Sequence, residues 1–161
     1  MRALLQRVTQ AHVDFIDGAG GSETIATIGA GLVVLLCADR LDEEATGDEG
    51  GEAAADFLAR KVANLRVFED DAGKMNLSVK DTGGQVLVVS QFTLVADWRK
   101  GNRPGFSGGA GFEAAERLWL YFCDQLEAEG VAVTRGRFRS HLRINLVNDG
   151  PVTIWMDTRD R

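Results

Sequence analysis

The stretch Gly31-Leu-Val-Val-Leu-Leu-Cys-Ala38 is the longest apolar run of the chain and decides how the fold is organised. An unbroken apolar run of this length is typical of a strand buried on both faces, so 32–37 is predicted to be an inner strand of a sheet. The run is too short to cross a bilayer, since a membrane helix needs about 20 apolar residues. A sheet protein with no membrane partner is therefore expected.

Further strands and helices are predicted on both sides of this run. Upstream, apolar and polar positions alternate, which predicts strands at 2–8, 11–16 and 23–28. Downstream, apolar residues recur at helical spacing over 52–67 and 112–128. Other predicted pieces are strands at 75–79, 85–89, 131–134, 142–147 and 152–156, a solvated loop at 42–51 and a glycine-rich loop at 97–111. This order predicts an α+β fold, with a mostly antiparallel, curved or barrel-like sheet around two main helices.

Length and charge set limits on the kind of protein. The 161 residues are predicted to form one domain over 1–161, and the first residues show no signal-peptide pattern, so the cytoplasm is the expected location. Cys37 and Cys123 lie in apolar contexts, which predicts buried free thiols. The net charge of −6 argues against nucleic-acid binding over the whole surface, but local basic clusters can still contact phosphates. The candidate cations are Arg99, Lys100, Arg103 and Arg137.

Familiar metal and cofactor motifs are absent from the sequence. Only two histidines occur, and there is no HExxH, CxxC, acidic calcium loop or GxxxxGK[ST] pattern. Neither a metal nor a cofactor is predicted. A Ser-His-Asp hydrolase arrangement can be drawn from Ser90, His141 and Asp149, although nothing in their spacing brings the three together.

Two polar stretches stand out against the apolar strands. Ser90-Gln-Phe-Thr-Leu94 follows a buried strand, and strand ends are rigid places open to solvent, which suits catalytic groups. The alternative is an ordinary strand exit whose polar side chains cap backbone groups. Asn148-Asp-Gly-Pro-Val-Thr-Ile154 is typical of a hairpin turn with Pro151 at a bulge. The alternative there is a cis peptide between Gly150 and Pro151, whose rigid carbonyl oxygens suit a substrate ammonium group.

Together the two stretches resemble the signature motifs of a known family. Val88-Val-Ser-Gln-Phe-Thr-Leu94 and Leu146-Val-Asn-Asp-Gly-Pro-Val-Thr153 are similar to those of the D-aminoacyl-tRNA deacylases. Further matches, in the family's order, are Met1-Arg-Ala-Leu-Leu-Gln-Arg-Val8, Lys61-Val-Ala-Asn-Leu-Arg-Val-Phe-Glu69, Gly73-Lys-Met-Asn-Leu-Ser78 and Arg99-Lys-Gly-Asn-Arg-Pro-Gly-Phe-Ser107. The resemblance therefore covers nearly the whole chain.

The resemblance implies a homodimeric hydrolase that cleaves the ester between a D-amino acid, or glycine, and the 3′ end of tRNA. It implies that Gly150 and Pro151 form a cis peptide that enters the partner's active site. There its carbonyls would hold the substrate's amino group and leave no room for an L side chain, so that rejection comes from a clash. Arg7 and Asn148 are expected to support this loop. Aminoacyl-tRNA and a second copy of the chain are thus the expected partners, and DNA is not.

The same resemblance assigns a catalytic pocket. Its expected members are Ser90, Gln91, Phe92 and Thr93. Backbone N–H groups near Phe92 and Thr93 are expected to form an oxyanion hole. The resemblance further implies that the ribose 2′-hydroxyl of the terminal adenosine helps activate water. This fits a sequence in which no histidine or lysine near Thr93 could activate its hydroxyl. The cations named above are expected to contact the tRNA.

One segment departs from the family pattern, and other functions remain open. Arg139-Ser-His-Leu142 stands where members commonly have Gly-Ala-x-Met, so loop shape and tRNA contacts are expected to differ there. A relative with a trans Gly-Pro peptide would accept a small L residue, but Phe92 favours the D-specific form. A module that binds tRNA or DNA without hydrolysis is a second class, and a structural dimer without catalysis is a third.

Overall fold

The computed structural model of the chain describes residues 1–45 and 51–160. The strands are β1 (Arg2–Ile16), β2 (Ser22–Ile28), β3 (Gly31–Cys37), β4 (Phe68–Glu69), β5 (Met75–Leu77), β6 (Gln85–Ser90), β7 (Ala132–Arg135) and β8 (Leu142–Asp157). The helices are α1 (Arg40–Glu44), α2 (Gly51–Asn64) and α3 (Phe112–Ala128), and 3-10 turns cover Phe92–Val95 and Thr158–Asp160.

The main sheet is organised by β1. On one edge β1 pairs antiparallel with β3 and then with β2, and on the other edge it pairs antiparallel with β8. Beyond β3, the strands β6 and β7 continue the sheet in parallel. Because β2 also contacts β6 and β7, the sheet curls towards a barrel. The predicted α+β class and the curved, mostly antiparallel sheet are confirmed.

The inner strand β3 is buried on both faces, as its sequence predicts. Leu36 lies in a core cluster with Leu58 of α2 and Phe122 of α3. Val33 points to the other face, where it clusters with Leu87 of β6. Helices therefore cover one face of the sheet, and the curl of the sheet encloses the other. In the described part of the chain, no helix is long and apolar enough to cross a membrane.

Three predicted boundaries are wrong. Residues 2–8 and 11–16 belong to one continuous strand, because β8 pairs with β1 across the gap between them. The helix predicted over 52–67 is α2, and it ends at Asn64. The predicted loop 42–51 begins inside α1, whose Asp42 is buried because its carboxylate accepts a 2.6 Å hydrogen bond from the Met1 ammonium group. The rest of that loop, 46–50, lies outside the described residues.

The predicted hairpin at 148–154 is also wrong. Both predicted strands belong to β8, which runs without reversing along β1. Thr153 lies opposite Gln6 and Asn148 lies opposite Val8, so residues 149–152 face only Arg7. This surplus on one side of the ladder is a bulge, and a bulge is where a strand tolerates a proline that has no N–H to donate.

Candidate active site

The first polar stretch lies at one edge of the sheet. Because β3, β6 and β7 are parallel, their carboxyl ends meet there. Ser90 is the last residue of β6, and the Gln91 N–H donates to the Leu36 carbonyl at 2.7 Å, which extends the ladder by one bond. The chain then turns into the 3-10 helix Phe92–Val95, so the second part of the polar stretch lies beyond the end of the strand, as predicted.

This turn leaves backbone donors free. The first N–H groups of a 3-10 helix have no acceptor within it, and no backbone acceptor for Phe92 or Thr93 exists among the described residues. The Gln91 side-chain amide donates to the Thr93 hydroxyl, and the Arg2 guanidinium donates to the Leu94 carbonyl at 3.1 Å. Hydrogen bonds to the Thr93 hydroxyl and the Leu94 carbonyl therefore stabilise the turn. The N–H groups of Phe92 and Thr93 remain available to bind a ligand.

Aromatic and sulfur groups surround the turn. Phe92 is 58% exposed and packs edge-on against Phe106, with ring centroids 5.2 Å apart. The Cys37 thiol lies 3.7 Å from the Phe92 carbonyl and 3.3 Å from the Ala38 carbonyl, either of which can accept its proton. Burial raises the pKa of Cys37 to about 12, so the thiol stays protonated near neutral pH and is a poor nucleophile. Cys37 and Cys123 are buried free thiols, as predicted.

The second polar stretch is anchored by a buried arginine. Arg7 is only 7% exposed, and its Nε lies 3.2 Å from the Asp149 carbonyl and 3.1 Å from the Asp149 carboxylate. Its Nη1 donates to the Val67 carbonyl at 2.6 Å. The Gly150–Pro151 peptide bond is cis, and Gly150 has φ +122°, a conformation that L residues rarely adopt.

Asn148 closes the bulge from the other side. Its Nδ2 donates to the Val152 carbonyl at 3.0 Å. Its Oδ1 is buried and has no partner in the part of the chain that the structure describes. A buried amide oxygen without a donor is uncommon, so this atom is available to accept a hydrogen bond from another molecule.

The two stretches do not meet within one chain. Ser90 lies level with Leu36 and Ala3 across the sheet, whereas the bulge faces Arg7. The two stretches are offset by four residues in the direction of β1 and by three strand spacings across the sheet. Together these offsets correspond to a distance on the order of 20 Å. The drawn Ser-His-Asp arrangement fails as well, because Asp149 lies eight residues beyond His141 along an extended strand, about 26 Å away.

The predicted cations do not form one patch. Arg99 donates to the Asp97 carboxylate at 2.8 Å, which lowers the pKa of Asp97. Arg137 lies over the Phe15 ring at 4.2 Å, near the far end of β1. Lys100 and Arg103 are exposed and have no carboxylate within ion-pair distance among the described residues, as their place in a glycine-containing polar loop predicts.

Sequence reasoning missed two residues that shape the pocket edge. Arg2 fixes the turn through the Leu94 carbonyl, and Phe106 forms the aromatic partner of Phe92. Phe106 could have been found in the sequence as an aromatic residue inside an otherwise polar loop. Nothing in the sequence apart from its charge distinguishes Arg2. No cluster of three or more metal-ligating side chains occurs among residues 1–45 and 51–160.

Comparison with known proteins identifies close relatives. The family model described as D-Tyr-tRNA(Tyr) deacylase matches residues 4–157. A "D-aminoacyl-tRNA deacylase" of Ruegeria pomeroyi is 55% identical over 157 residues, covering 98% of this chain and 99% of that protein. One of Paracoccus denitrificans is 53% identical over 161 residues, covering 100% of this chain and 99% of that protein.

Solved structures share the fold. A "c-Myc DNA Unwinding Element Binding Protein" is 37% identical with a TM-score of 0.83 and covers 98% of both chains. A "probable eukaryotic D-amino acid tRNA deacylase" is 20% identical with a TM-score of 0.71, covering 96% of this chain and 97% of that one, and shows the fold alone. The family model spans nearly every residue, and the two named relatives are identical to this chain at about half of the aligned positions over nearly their full length. The chain therefore belongs to the D-Tyr-tRNA(Tyr) deacylase family.

Proposed function

We propose that this protein is a hydrolase that cleaves the ester between a D-amino acid, or glycine, and the 3′ end of tRNA. The observation that carries the proposal is the 55% identity, over 98% of the chain, to a protein named D-aminoacyl-tRNA deacylase. We take residues 1–161 as a single deacylase domain that acts in the cytoplasm, where aminoacyl-tRNA is used. The shared core of the sheet with α2 and α3 supports the single domain.

Hydrolysis is proposed at the turn after β6. An ester carbonyl held against the free N–H groups of Phe92 and Thr93 would develop its negative charge where two donors already point. Ser90 and Gln91 would position the ester from the side of the strand. Thr93 has no base to activate it among the described residues, since its hydroxyl accepts from an amide and the nearby Cys37 thiol is protonated. The ribose 2′-hydroxyl of the terminal adenosine is therefore proposed to assist the attacking water.

Chirality is proposed to be read by Gly150 and Pro151. Their carbonyls would accept the substrate's α-amino group, and the wall of the bulge would clash with an L side chain, whereas glycine and D residues would pass. The bulge is supported for this role by Arg7, which is buried and holds both Asp149 and the Val67 carbonyl. The free Oδ1 of Asn148 offers one further acceptor beside it.

A second copy of the chain is proposed to complete the site. Pocket and bulge lie on the order of 20 Å apart in one chain, too far to hold opposite ends of one aminoacyl ester. In a homodimer, the bulge of one protomer would reach the pocket of its partner. The Lys100 and Arg103 side chains, which have no described counter-charge, are the proposed phosphate contacts. Arg99, which is paired with Asp97, and Arg137, which lies apart over the Phe15 ring, are proposed in a weaker role.

The test is deacylation of D-Tyr-tRNA against L-Tyr-tRNA by the pure protein. We expect fast release of D-tyrosine and retention of the L ester. Parallel assays of Thr93→Ala and Gly150→Ala check that the activity arises from this protein. Equal rates for both esters would contradict the chiral gate, and no hydrolysis of either would contradict the enzyme.

A binding function without hydrolysis is the second candidate, because the relative at 37% identity is named for binding a DNA element. The net charge of −6 does not favour it. Competition separates the two: duplex DNA in excess should leave deacylation unchanged if the pocket takes only the acceptor end of tRNA. Tight DNA binding that survives Gly150→Ala and Thr93→Ala would favour the binding function instead.

A further inference from the structure

The loop that follows the pocket carries an exposed tryptophan. Asp97 and Gly105 form a two-stranded bridge, with reciprocal backbone hydrogen bonds of 2.8 Å in each direction. Trp98 extends from this bridge and is 74% exposed, more than any other large apolar residue described. A large ring in water is unusual unless it meets a partner, and a stretch of chain closed by two hydrogen bonds is a firm support for it.

The same loop is fixed to the pocket at both ends. Its first end continues directly from the turn that carries Phe92, and its last end leads into Phe106, whose ring packs on that of Phe92. Trp98 is therefore attached to the pocket through both ends of its loop. The loop is held at one end by the peptide chain of the 3-10 turn and at the other by the Phe92–Phe106 ring contact. The fold therefore fixes the distance between Trp98 and the pocket.

Charge complementarity indicates which partner the loop fits. Asp97 is neutralised by Arg99, and Lys100 and Arg103 remain exposed with no carboxylate in ion-pair range within the described chain. Exposed aromatic rings beside uncompensated cations are the surface that single-stranded nucleic acids use, since each base stacks on a ring and each phosphate meets a cation. If Trp98 instead packed against a second copy of this chain, the contact would give no role to the charges of Lys100 and Arg103.

We propose that Trp98 stacks on an unpaired base that precedes the terminal adenosine of tRNA, while Lys100 and Arg103 contact the adjoining phosphates. The proposal rests on the proposed deacylase function for its substrate and adds a binding residue outside the pocket. Trp98 would then contribute to affinity for the acceptor end and not to the chemistry of the ester.

The test compares two substrates, D-Tyr-tRNA and the D-tyrosyl ester of adenosine, which lacks the preceding bases. For Trp98→Ala we expect KM for the tRNA to rise about tenfold, since stacking one base is worth about 1–3 kcal/mol. We expect kcat for the tRNA and kcat/KM for the adenosine ester to change less than about twofold, because neither depends on the stacked base. Trp98→Phe keeps a ring and should recover most of the tRNA affinity. Leu120→Ala, which removes an exposed apolar side chain on α3, is the matched control and should leave both substrates unaffected.

Binding without catalysis separates this proposal from the deacylase function. An RNA stem-loop ending in four unpaired nucleotides should quench the fluorescence of the parent protein, and this quenching should be lost in both Trp98→Phe and Trp98→Ala. A fluorescent label on the RNA should report near-parental binding by Trp98→Phe and weaker binding by Trp98→Ala. Lys100→Gln and Arg103→Gln should each lower the slope of log K against log salt by about 0.7. Equal losses on both substrates, or a change in sedimentation of Trp98→Ala that shows Trp98 in a dimer contact, would overturn the proposal. Failure of the parent to hydrolyse either ester, with quenching intact, would overturn the deacylase function alone.

Discussion

At the scale of single residues, Gly150 is the position with the least freedom in the proposed gate. A Cβ on Gly150 would lie 2.8 Å from Val152 Cγ2 and 3.1 Å from Arg7 Nη2, and φ is +122°. Arg7 cannot yield easily, because its guanidinium is buried and bonded to two carbonyls. A methyl group here therefore has to move the bulge itself.

Gly150→Ala is expected to lower kcat/KM for D-Tyr-tRNA by about a hundredfold, since a 1 Å displacement of a positioning group costs about that much. Gly20→Ala is the matched control, because Gly20 also has positive φ, at +88°, but no atom lies within 4 Å of its Cβ position. The control should lose stability and keep activity. Similar activity losses in both variants would show that backbone conformation, and not the bulge contacts, is responsible.

Arg139 has a left-handed backbone φ of +52° and is the only non-glycine residue with a positive φ among the described residues. Its guanidinium lies over the Phe112 ring at 4.3 Å from Cζ to the ring centroid. Arg139 thus adopts a φ that glycine would adopt without steric cost, and it makes a cation–aromatic contact that glycine cannot make.

Two substitutions at this residue separate the contact from the backbone strain. Arg139→Ala should lower the free energy of unfolding by about 0.5–1 kcal/mol, because it loses the contact and keeps the unfavourable φ. Arg139→Gly should be more stable than Arg139→Ala by about 1 kcal/mol, since glycine adopts this φ without a steric cost. Urea unfolding measures both, and an alanine variant as stable as the glycine variant would contradict the role of φ.

At the scale of elements, β8 ends in a charged cluster that ties it to the start of β1. Asp157 accepts hydrogen bonds from Arg2 at 3.1 Å and from Arg159 Nη2 at 2.6 Å. Burial raises the pKa of Asp157, but the hydrogen bonds and charge of Arg159 and the hydrogen bond from Arg2 outweigh it and lower the pKa to about 2. The folded protein therefore prefers the carboxylate.

This cluster predicts a pH dependence of stability. In the unfolded chain the Asp157 carboxyl has a pKa of 3.8, and in the folded protein its pKa is about 2. The stability that the ionised carboxylate contributes to the folded state is therefore complete above pH 3.8 and is lost as the pH falls from 3.8 towards about 2. Asp157→Asn should therefore be less stable than the parent at pH 6, and the difference should shrink towards pH 2. Urea unfolding at both pH values checks this, and a difference independent of pH would show that the charge of Asp157 is not what stabilises the end of β8.

At the scale of the whole molecule, the separation of pocket and bulge is the reason for proposing that two copies of the chain form each active site. One chain places Ser90 level with Ala3 and the bulge level with Arg7, along strands that run in one sheet. Bending a packed sheet enough to join them would break the core between β3 and β6. The two halves are thus expected to meet only across a protomer interface.

Mixing two inactive variants tests this expectation. Thr93→Ala damages the pocket and Gly150→Ala damages the bulge, so a mixed dimer of the two holds one intact site and one doubly altered site. Random exchange of protomers should restore about a quarter of the parental activity, because half of the dimers are mixed and each has one working site of two. Activity equal to the sum of the separate variants would mean that pocket and bulge of the same chain act together.

The sequence alone determined the inner strand β3, the amphipathic helices and the residue types of both polar stretches. Each of these follows from local periodicity or from a short motif, and the burial of a repeating face is encoded within a dozen residues. Helix α3 begins at Phe112 and ends at Ala128 as predicted for that reason. The tertiary structure alone decided the continuity of β1 and β8, because a strand that carries a bulge is maintained by its partner's ladder. It also decided that Asp42 is buried against the Met1 ammonium and that Arg7 holds Asp149, since such partners lie far apart in the chain and only packing brings them together.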